Sequence, residues 1–366
     1  MHLYIHVPFC ARRCSYCDFA IAVRREVPSQ MFVDAVLAEW RDWQEHPAWI
    51  GSPVLDTIYL GGGTPSHLDA GELDRLIGTI RRDRPVTSGA EITLEANPED
   101  VTPRNATMWI AAGVNRISLG VQSFDDAVLK WMHRVHDGAA VSAAMSMLRS
   151  AGFGNVSVDL IFALPEALQR NWSRDLDLAL ALEPEHLSLY GLTIEAGTPL
   201  GRWTARGESM PSPDERYAAE YLAAHRALAA EGFDHYEVSN AGRGGRRARH
   251  NSAYWRRAPF IGLGPSAHSG FGVRRSWNVR EWANYQRLID AGEPVRAEEE
   301  QLDPDQLRLE KLYLGLRTSD GLSCELIPAE AARDWVVSGW ATATDGRLRL
   351  TPEGWLRLDA LVRSIA

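Results

Sequence analysis

Short apolar runs and longer amphipathic stretches alternate along this chain. Residues 3–7 form an apolar run stopped by Pro8, which predicts a first strand. After Ser29, the residues Phe32, Val33, Val36, Leu37 and Trp40 recur at helix spacing on one face. Residues 57–60 read as a second strand running into Gly61-Gly62-Gly63-Thr64-Pro65, and helical spacing returns over 70–80. Residues 91–94 are a third strand, ending in Glu95-Ala96-Asn97-Pro98. A helix over 103–112 leads to a strand over 116–121, which ends in Gln122-Ser123. Helices follow over 127–133 and 139–151, then a strand over 155–162 that carries Asp159. A helix over 171–182, a sixth strand over 186–190 and a long helix over 214–230 close the series. Six strand–helix units in succession predict parallel strands joined by right-handed crossovers. The fold class is therefore α/β, a partial (β/α)6 TIM-like barrel over residues 1–232.

Beyond Gly232 the rhythm loosens. Residues 235–239 read as one more strand. A glycine- and arginine-rich loop over 242–249 leads into His250-Asn251-Ser252-Ala253-Tyr254-Trp255, and a glycine-bearing run follows over 260–268. The chain turns acidic through Glu298-Glu299-Glu300, which places a boundary near Gly292-Glu293-Pro294. Residues 233–295 are thus expected to complete the barrel, and 296–366 to form a small C-terminal helical, winged-helix-like domain. There Thr351 is placed as a helix cap and Pro352 in the first turn. That domain lacks a basic recognition face, so it reads as a packing or docking element.

Composition narrows the class. With 366 residues the chain can bury a large core, and 45% hydrophobic with 24% charged residues is ordinary for a globular protein. No run approaches twenty apolar residues, so an integral membrane protein is not expected. The N-terminus lacks the basic flank of an export signal, which with only 4 cysteines points to a reducing cytoplasm. A net charge of −9 argues against a nucleic-acid partner.

Three of those cysteines, Cys10, Cys14 and Cys17, fall in one short loop after the first strand; Cys324 lies far away. Clustered thiolates select Fe–S clusters, zinc or copper(I). A [4Fe–4S] cluster normally takes four cysteines, so three would leave one iron open to a non-protein ligand. A zinc site completed by His6 or His2 is the alternative reading of the same spacing. In β/α barrels functional residues gather at the C-terminal ends of the strands. Gly61–Pro65, Glu95, Gln122, Asp159 and Gly191 all stand there. The three glycines let a ligand approach bare backbone. Glu95, Gln122 and Asp159 offer acceptors and a donor suited to hydroxyls and an ammonium group.

Together the C-x3-C-x2-C loop, Tyr16 before its last cysteine and Gly61-Gly62-Gly63-Thr64-Pro65 resemble the radical S-adenosylmethionine (SAM) superfamily. The likeness covers nearly the whole chain. It is nearest to the HemN/HemW branch, through Tyr4-Ile5-His6-Val7-Pro8-Phe9-Cys10, Leu119-Gly120-Val121-Gln122-Ser123-Phe124 and Arg134-Val135-His136. The resemblance implies a [4Fe–4S] cluster on Cys10, Cys14 and Cys17, whose open iron takes the amine and carboxylate of SAM. It implies that Gly62, Gly63 and Thr64 meet the methionine end, and that Glu95, Gln122, Arg134 and Asp159 also hold SAM, with Tyr4 near the cluster. An electron then cleaves the C–S bond to a 5′-deoxyadenosyl radical. No catalytic residue is assigned.

Two departures divide the branch. Oxygen-independent coproporphyrinogen III oxidases carry an extra cysteine where this chain has Phe19, and an N-terminal extension before a strand that here begins at Leu3. His250-Asn251-Ser252-Ala253-Tyr254-Trp255 instead matches the H-N-x-x-Y-W signature of HemW-type heme chaperones. The expected function is binding of cluster, SAM and heme and passage of heme to an acceptor, for which a respiratory, membrane-associated protein is a candidate. The alternative is radical decarboxylation of coproporphyrinogen III to protoporphyrinogen IX. For heme, His250 offers an imidazole and Tyr254 and Trp255 flat apolar area. Arg243, Arg246, Arg247, Arg249, Arg256 and Arg257 offer guanidinium forks for propionates. The same residues also read as a solvated basic loop with a packed aromatic pair.

Overall fold

The apolar runs become strands of one twelve-stranded sheet in a computed structural model that describes residues 1–50 and 54–365. Its centre is β1 (His2–Val7), β2 (Leu55–Gly62), β3 (Val86–Ala96), β4 (Arg116–Gln122), β5 (Val156–Phe162) and β6 (His186–Gly191). These six lie side by side in chain order, each parallel to the next. Crossovers bring α1 (Ser29–Trp43), α2 (Ala70–Asp83), α3 (Pro103–Ala111), α4 (Asp126–Trp131), α5 (Gly138–Ala151) and α6 (Trp172–Ala181) between them. Two more helices, α7 (Pro199–Ala205) and α8 (Asp214–Ala230), follow β6. Starts are fixed locally: Asp69, Thr102, Asp137 and Asn171 each accept a backbone N–H of the helix they precede. The face of α1 that the spacing picked out, Phe32, Val33, Val36, Leu37 and Trp40, is buried.

The sheet continues at both edges. Past β6 it adds β8 (Asn240–Gly242) and then β7 (Asp234–Glu237), both antiparallel to their neighbours. Between these and the next strand comes α9 (Arg249–Trp255). Past β1 it adds β9 (Phe260–Leu263), parallel to β1, and then the antiparallel β10 (His268–Phe271), β11 (Arg274–Asn278) and β12 (Arg296–Gln301). The strand order is linear, with β12 and β7 at its ends, so the barrel is partial. Glycines make the wing feasible, because a Cβ on Gly262 would collide with the carbonyl of His268.

The acidic run expected to open a separate domain is β12 itself. All six of its residues are exposed, so no alternation marks it as a strand. Pairing with β11 holds it, and Arg275 stands opposite Glu300. After α10 (Trp282–Ala291) and β12, a capping box at Asp303 starts α11 (Pro304–Leu316). Helix α12 (Ala329–Val337), the short strands β13 (Leu322–Ser323), β14 (Ala341–Thr344) and β15 (Arg347–Leu350), and helices α13 (Pro352–Trp355) and α14 (Leu358–Arg363) complete the chain. Thr351 caps α13 with Pro352 in its first turn, as the sequence predicts. Leu312, Leu348 and Trp355 belong to the same buried cluster as the barrel core, so the module packs on the barrel.

One buried carboxyl ties the wing to the barrel. Glu39 of α1 accepts from Gly264 N (2.8 Å), Tyr285 OH (2.6 Å) and Asn278 Nδ2 (2.7 Å). Burial nevertheless pushes its pKa up to about 7, these donors and Trp43 only partly offsetting the lost hydration. The folded chain therefore holds this proton over a range where the unfolded chain, with a pKa of about 4.3, has released it. Stability from this group is full below that value and declines as pH rises through about 7. In Glu39→Gln this loss is absent. Urea unfolding at pH 5 and pH 8 is expected to show a wild-type decrease larger than that of Glu39→Gln by about 2–3 kcal/mol. Equal decreases would refute the role given to Glu39.

Candidate functional site

The C-terminal ends of the parallel strands surround a cavity of about 480 Å3. The loop after β1 enters it from one side. Its two ends are pinned where Ala22 N donates to Pro8 O (2.7 Å) and Arg24 N to Cys10 O (2.9 Å). Cys10, Cys14 and Cys17, all half-buried, line this cavity. Thr64 Oγ1 donates to Cys10 Sγ at 3.4 Å, and Arg134 Nη1 to Cys14 Sγ at 3.7 Å. Burial pushes the Cys10 thiol up and that of Cys17 to about 11. These sulfurs hold their protons at neutral pH until a metal displaces them.

The next strands bring the rest of the predicted set, Tyr4 excepted, to the same cavity. Gly62 ends β2, and Gly63 and Thr64 follow it; Glu95, Gln122 and Asp159 come from β3, β4 and β5; Arg134 follows α4. Gly62 has φ +111° and Gly63 lies 2.8–2.9 Å, measured from an ideal Cβ, from the backbone of Pro8 and Phe9. Only glycine fits either place. Glu95 is half-buried between Tyr59 OH (2.7 Å) and Gly62 N (3.0 Å), both of which donate to it. Burial and the nearby Asp159 raise its pKa to about 7 against those two bonds. Gln122 adopts φ +68° at a register shift where β4 leaves β5, the kind of irregularity that re-aims a side chain at a site. Asp159, its pKa also raised by burial, accepts from Ser118 Oγ (2.8 Å) and Ser157 Oγ (3.0 Å). Arg134 Nη2 donates to Asn97 Oδ1 (2.5 Å) and Gly120 O (2.7 Å), while its Nε is buried with no partner among the described residues.

A second cavity, of about 580 Å3, opens beside the first and shares Asp18, Phe19, Gly62 and Glu95 with it. Tyr4, Tyr254 and Trp255 line it, together with Phe260, His268 and Arg280. The glycine run over 260–268 is the sequence signal for Phe260 and His268; no motif marks Arg280. His250 lines neither cavity. It is buried, with Nδ1 bonded to Thr57 Oγ1 (2.6 Å) and Nε2 to Tyr254 OH (2.7 Å). Helix α9, which has no side-chain cap of its own, is anchored by buried Glu91 of β3, which accepts from the backbone N of Arg249 and of His250, each at 3.0 Å. Of the six arginines singled out near this helix, Arg257 alone lines the second cavity. Arg247 pairs with Asp234 and Asp320, and Arg243 covers the Phe233 ring.

The donor set suits a [4Fe–4S] cluster with one open iron: three soft thiols on one loop, beside a guanidinium whose buried Nε–H is unused among the described residues. Neither histidine of the zinc alternative is free to join them. His6 Nε2 donates to Ala20 O (2.9 Å), so Nδ1 accepts from Tyr4 OH (3.0 Å). His2 stands at the far end of β1, bonded to Thr57 Oγ1 (2.9 Å). Cys324 lies in the C-terminal module.

The close approach at Gly63 makes a sharp prediction. Gly63→Ala drives a methyl into the stem of the cysteine loop, an overpacking that costs about 1–3 kcal/mol. Its melting temperature is expected to fall by a few degrees, and reconstituted iron to fall with it. Gly78→Ala on the exposed face of α2, where a Cβ meets nothing within 4 Å, is expected to hold or raise both. Equal behaviour of the two variants would refute the packing constraint.

Comparison with known proteins agrees with this geometry. The Radical SAM superfamily model matches residues 4–179. The heme chaperone HemW of Mycobacterium tuberculosis H37Rv is 36% identical over 366 residues, 99% of this chain and 94% of that protein. The heme chaperone HemW of Bacillus subtilis is 35% identical, covering 87% and 84%. Among solved structures, coproporphyrinogen III oxidase (HemN) of Escherichia coli superposes with a TM-score of 0.80 at 20% identity, over 99% of this chain and 88% of that one, a likeness of fold alone. With the cysteine loop, the glycine turn and the strand-end carboxylates meeting in one cavity, the chain belongs to the radical SAM superfamily, in the branch of the HemW heme chaperones.

Proposed function

We propose that this chain is a heme chaperone, which binds a [4Fe–4S] cluster, SAM and heme and hands the heme to an acceptor protein. The observation that carries the reading is the second cavity, walled by aromatic side chains, edged by arginines and sharing a wall with the cysteine cavity. Its size falls in the range of sites that enclose whole organic ligands. The names of the relatives point the same way.

In this reading Cys10, Cys14 and Cys17 hold the cluster. Gly62, Gly63 and Thr64 present bare backbone and a hydroxyl to the methionine end of SAM. Glu95, Gln122, Arg134 and Asp159 take its remaining polar groups, and Tyr4 sits on the far side of Gly62. Bound to the open iron, SAM would supply one-electron chemistry. Glu95, poised near neutrality, keeps the glycine turn in place through Gly62 N and favours a neighbouring ammonium group. Phe19, two positions after Cys17 and 59% exposed, lies in the wall between the cavities and offers a flat apolar face where a thiol would not.

Anaerobically reconstituted protein titrated with heme should bind it with a shifted Soret band, release it to an apo-hemoprotein, and form no protoporphyrinogen from coproporphyrinogen III. Sustained decarboxylation would establish the oxidase instead, and indifference to heme would remove the chaperone.

A further inference from the structure

Resting on the heme reading, the ligand types that line the second cavity can be sorted by what they already bind. The side chains there able to coordinate heme iron are Tyr4, His6, Tyr254 and His268. The Tyr4 hydroxyl is bonded to His6 Nδ1, and the other His6 nitrogen to Ala20 O. The Tyr254 hydroxyl is bonded to His250 Nε2. Only His268 has no hydrogen bond on either ring nitrogen among the described residues. Its imidazole stacks on the Trp277 indole, centroids 5.6 Å apart and planes 28° apart, so the ring plane is fixed without consuming a nitrogen. Partial burial lowers its pKa, against a smaller opposing pull from Glu300, so the ring is neutral at physiological pH and keeps a lone pair.

The arginines sort in the same way. Arg257 and Arg275 both close on Glu310. Arg280 donates to a single carbonyl, Asp18 O (2.9 Å), and keeps further N–H donors for an anion.

We propose that His268 is the axial ligand of heme iron in the second cavity and Arg280 the partner of a propionate, with His250 acting through Tyr254 as a positioning residue. The iron gains one Fe–N bond from the neutral imidazole; no proton or electron moves. The macrocycle would lie against Tyr254, Phe260 and Phe19; His268 comes from β10 and Arg280 from the segment that follows β11.

The test uses the full chain with its cluster, titrated with ferric heme and with heme dimethyl ester, in which the propionates are blocked. His268→Ala is expected to move the Soret maximum and weaken heme binding at least tenfold, with iron and sulfide content unchanged. His268→Met, which keeps a heme ligand, should restore affinity with a different spectrum. Arg280→Glu should weaken heme at least tenfold without moving the Soret band, and leave the ester unaffected. If wild type binds heme and His268→Ala gives the same spectrum and affinity, the ligand assignment is overturned. If Arg280→Glu affects heme and ester alike, the propionate assignment is overturned. If the wild-type protein with intact cluster binds no heme, the chaperone reading itself falls, and this assignment with it.

Discussion

Gly63 lies so close to the backbone of Pro8 and Phe9 that no side chain fits between them, and its N–H donates to Val7 O at 2.7 Å. That contact seats the turn after β2 against the stem of the cysteine loop, within reach of Thr64 Oγ1 to Cys10 Sγ. On the other side Glu95 grips Gly62 N and Tyr59 OH, joining the ends of β2 and β3. Arg134 then spans Cys14, Asn97 and Gly120. The rim is thus a chain of short ties between successive strand ends, closed back onto the cysteine loop by Arg134, and widening the first would disturb the rest.

Strand β1 sets both cavities at once. Its residue Tyr4 pairs with Tyr59 of β2 on one side and with Gly262 of β9 on the other. Wherever the cysteine loop goes, the antiparallel wing must follow. A Cβ on Gly264 would stand 2.6 Å from His6 O, so the wing, too, rests directly on β1 backbone. Glu39 locks that arrangement from behind. The distance between the cluster side and the second cavity is therefore a property of the sheet rather than of a hinge, as befits two sites that share Phe19 and Glu95 as a wall.

The central architecture could be read from the sequence because its physics is local. Parallel strands buried on both faces give apolar runs, and the alternating helices show a 3.6-residue period with their caps. The cysteines, the glycine turn and the strand-end polar residues could be placed because a β/α barrel sends every strand end to one rim. What could not be read depends on contacts between distant residues. Strand β12 is exposed throughout and carries no pattern, so its place follows from pairing with β11 alone. His250 stands out in a motif, yet its nitrogens go to Thr57, 193 positions away, and to Tyr254. His268 belongs to no motif. It becomes a candidate heme ligand only once Phe260, Tyr254 and Arg280 are seen around one space.

The central claim is an iron left without a protein ligand so that SAM can complete it. Electron paramagnetic resonance of the reduced, anaerobically reconstituted chain, recorded with and without SAM, tests it most directly. A [4Fe–4S]+ signal whose g values shift when SAM is added is the expected result, because amine and carboxylate then bind the open iron. A cluster signal unchanged by saturating SAM, or a preparation that takes up neither iron nor sulfide, would contradict it.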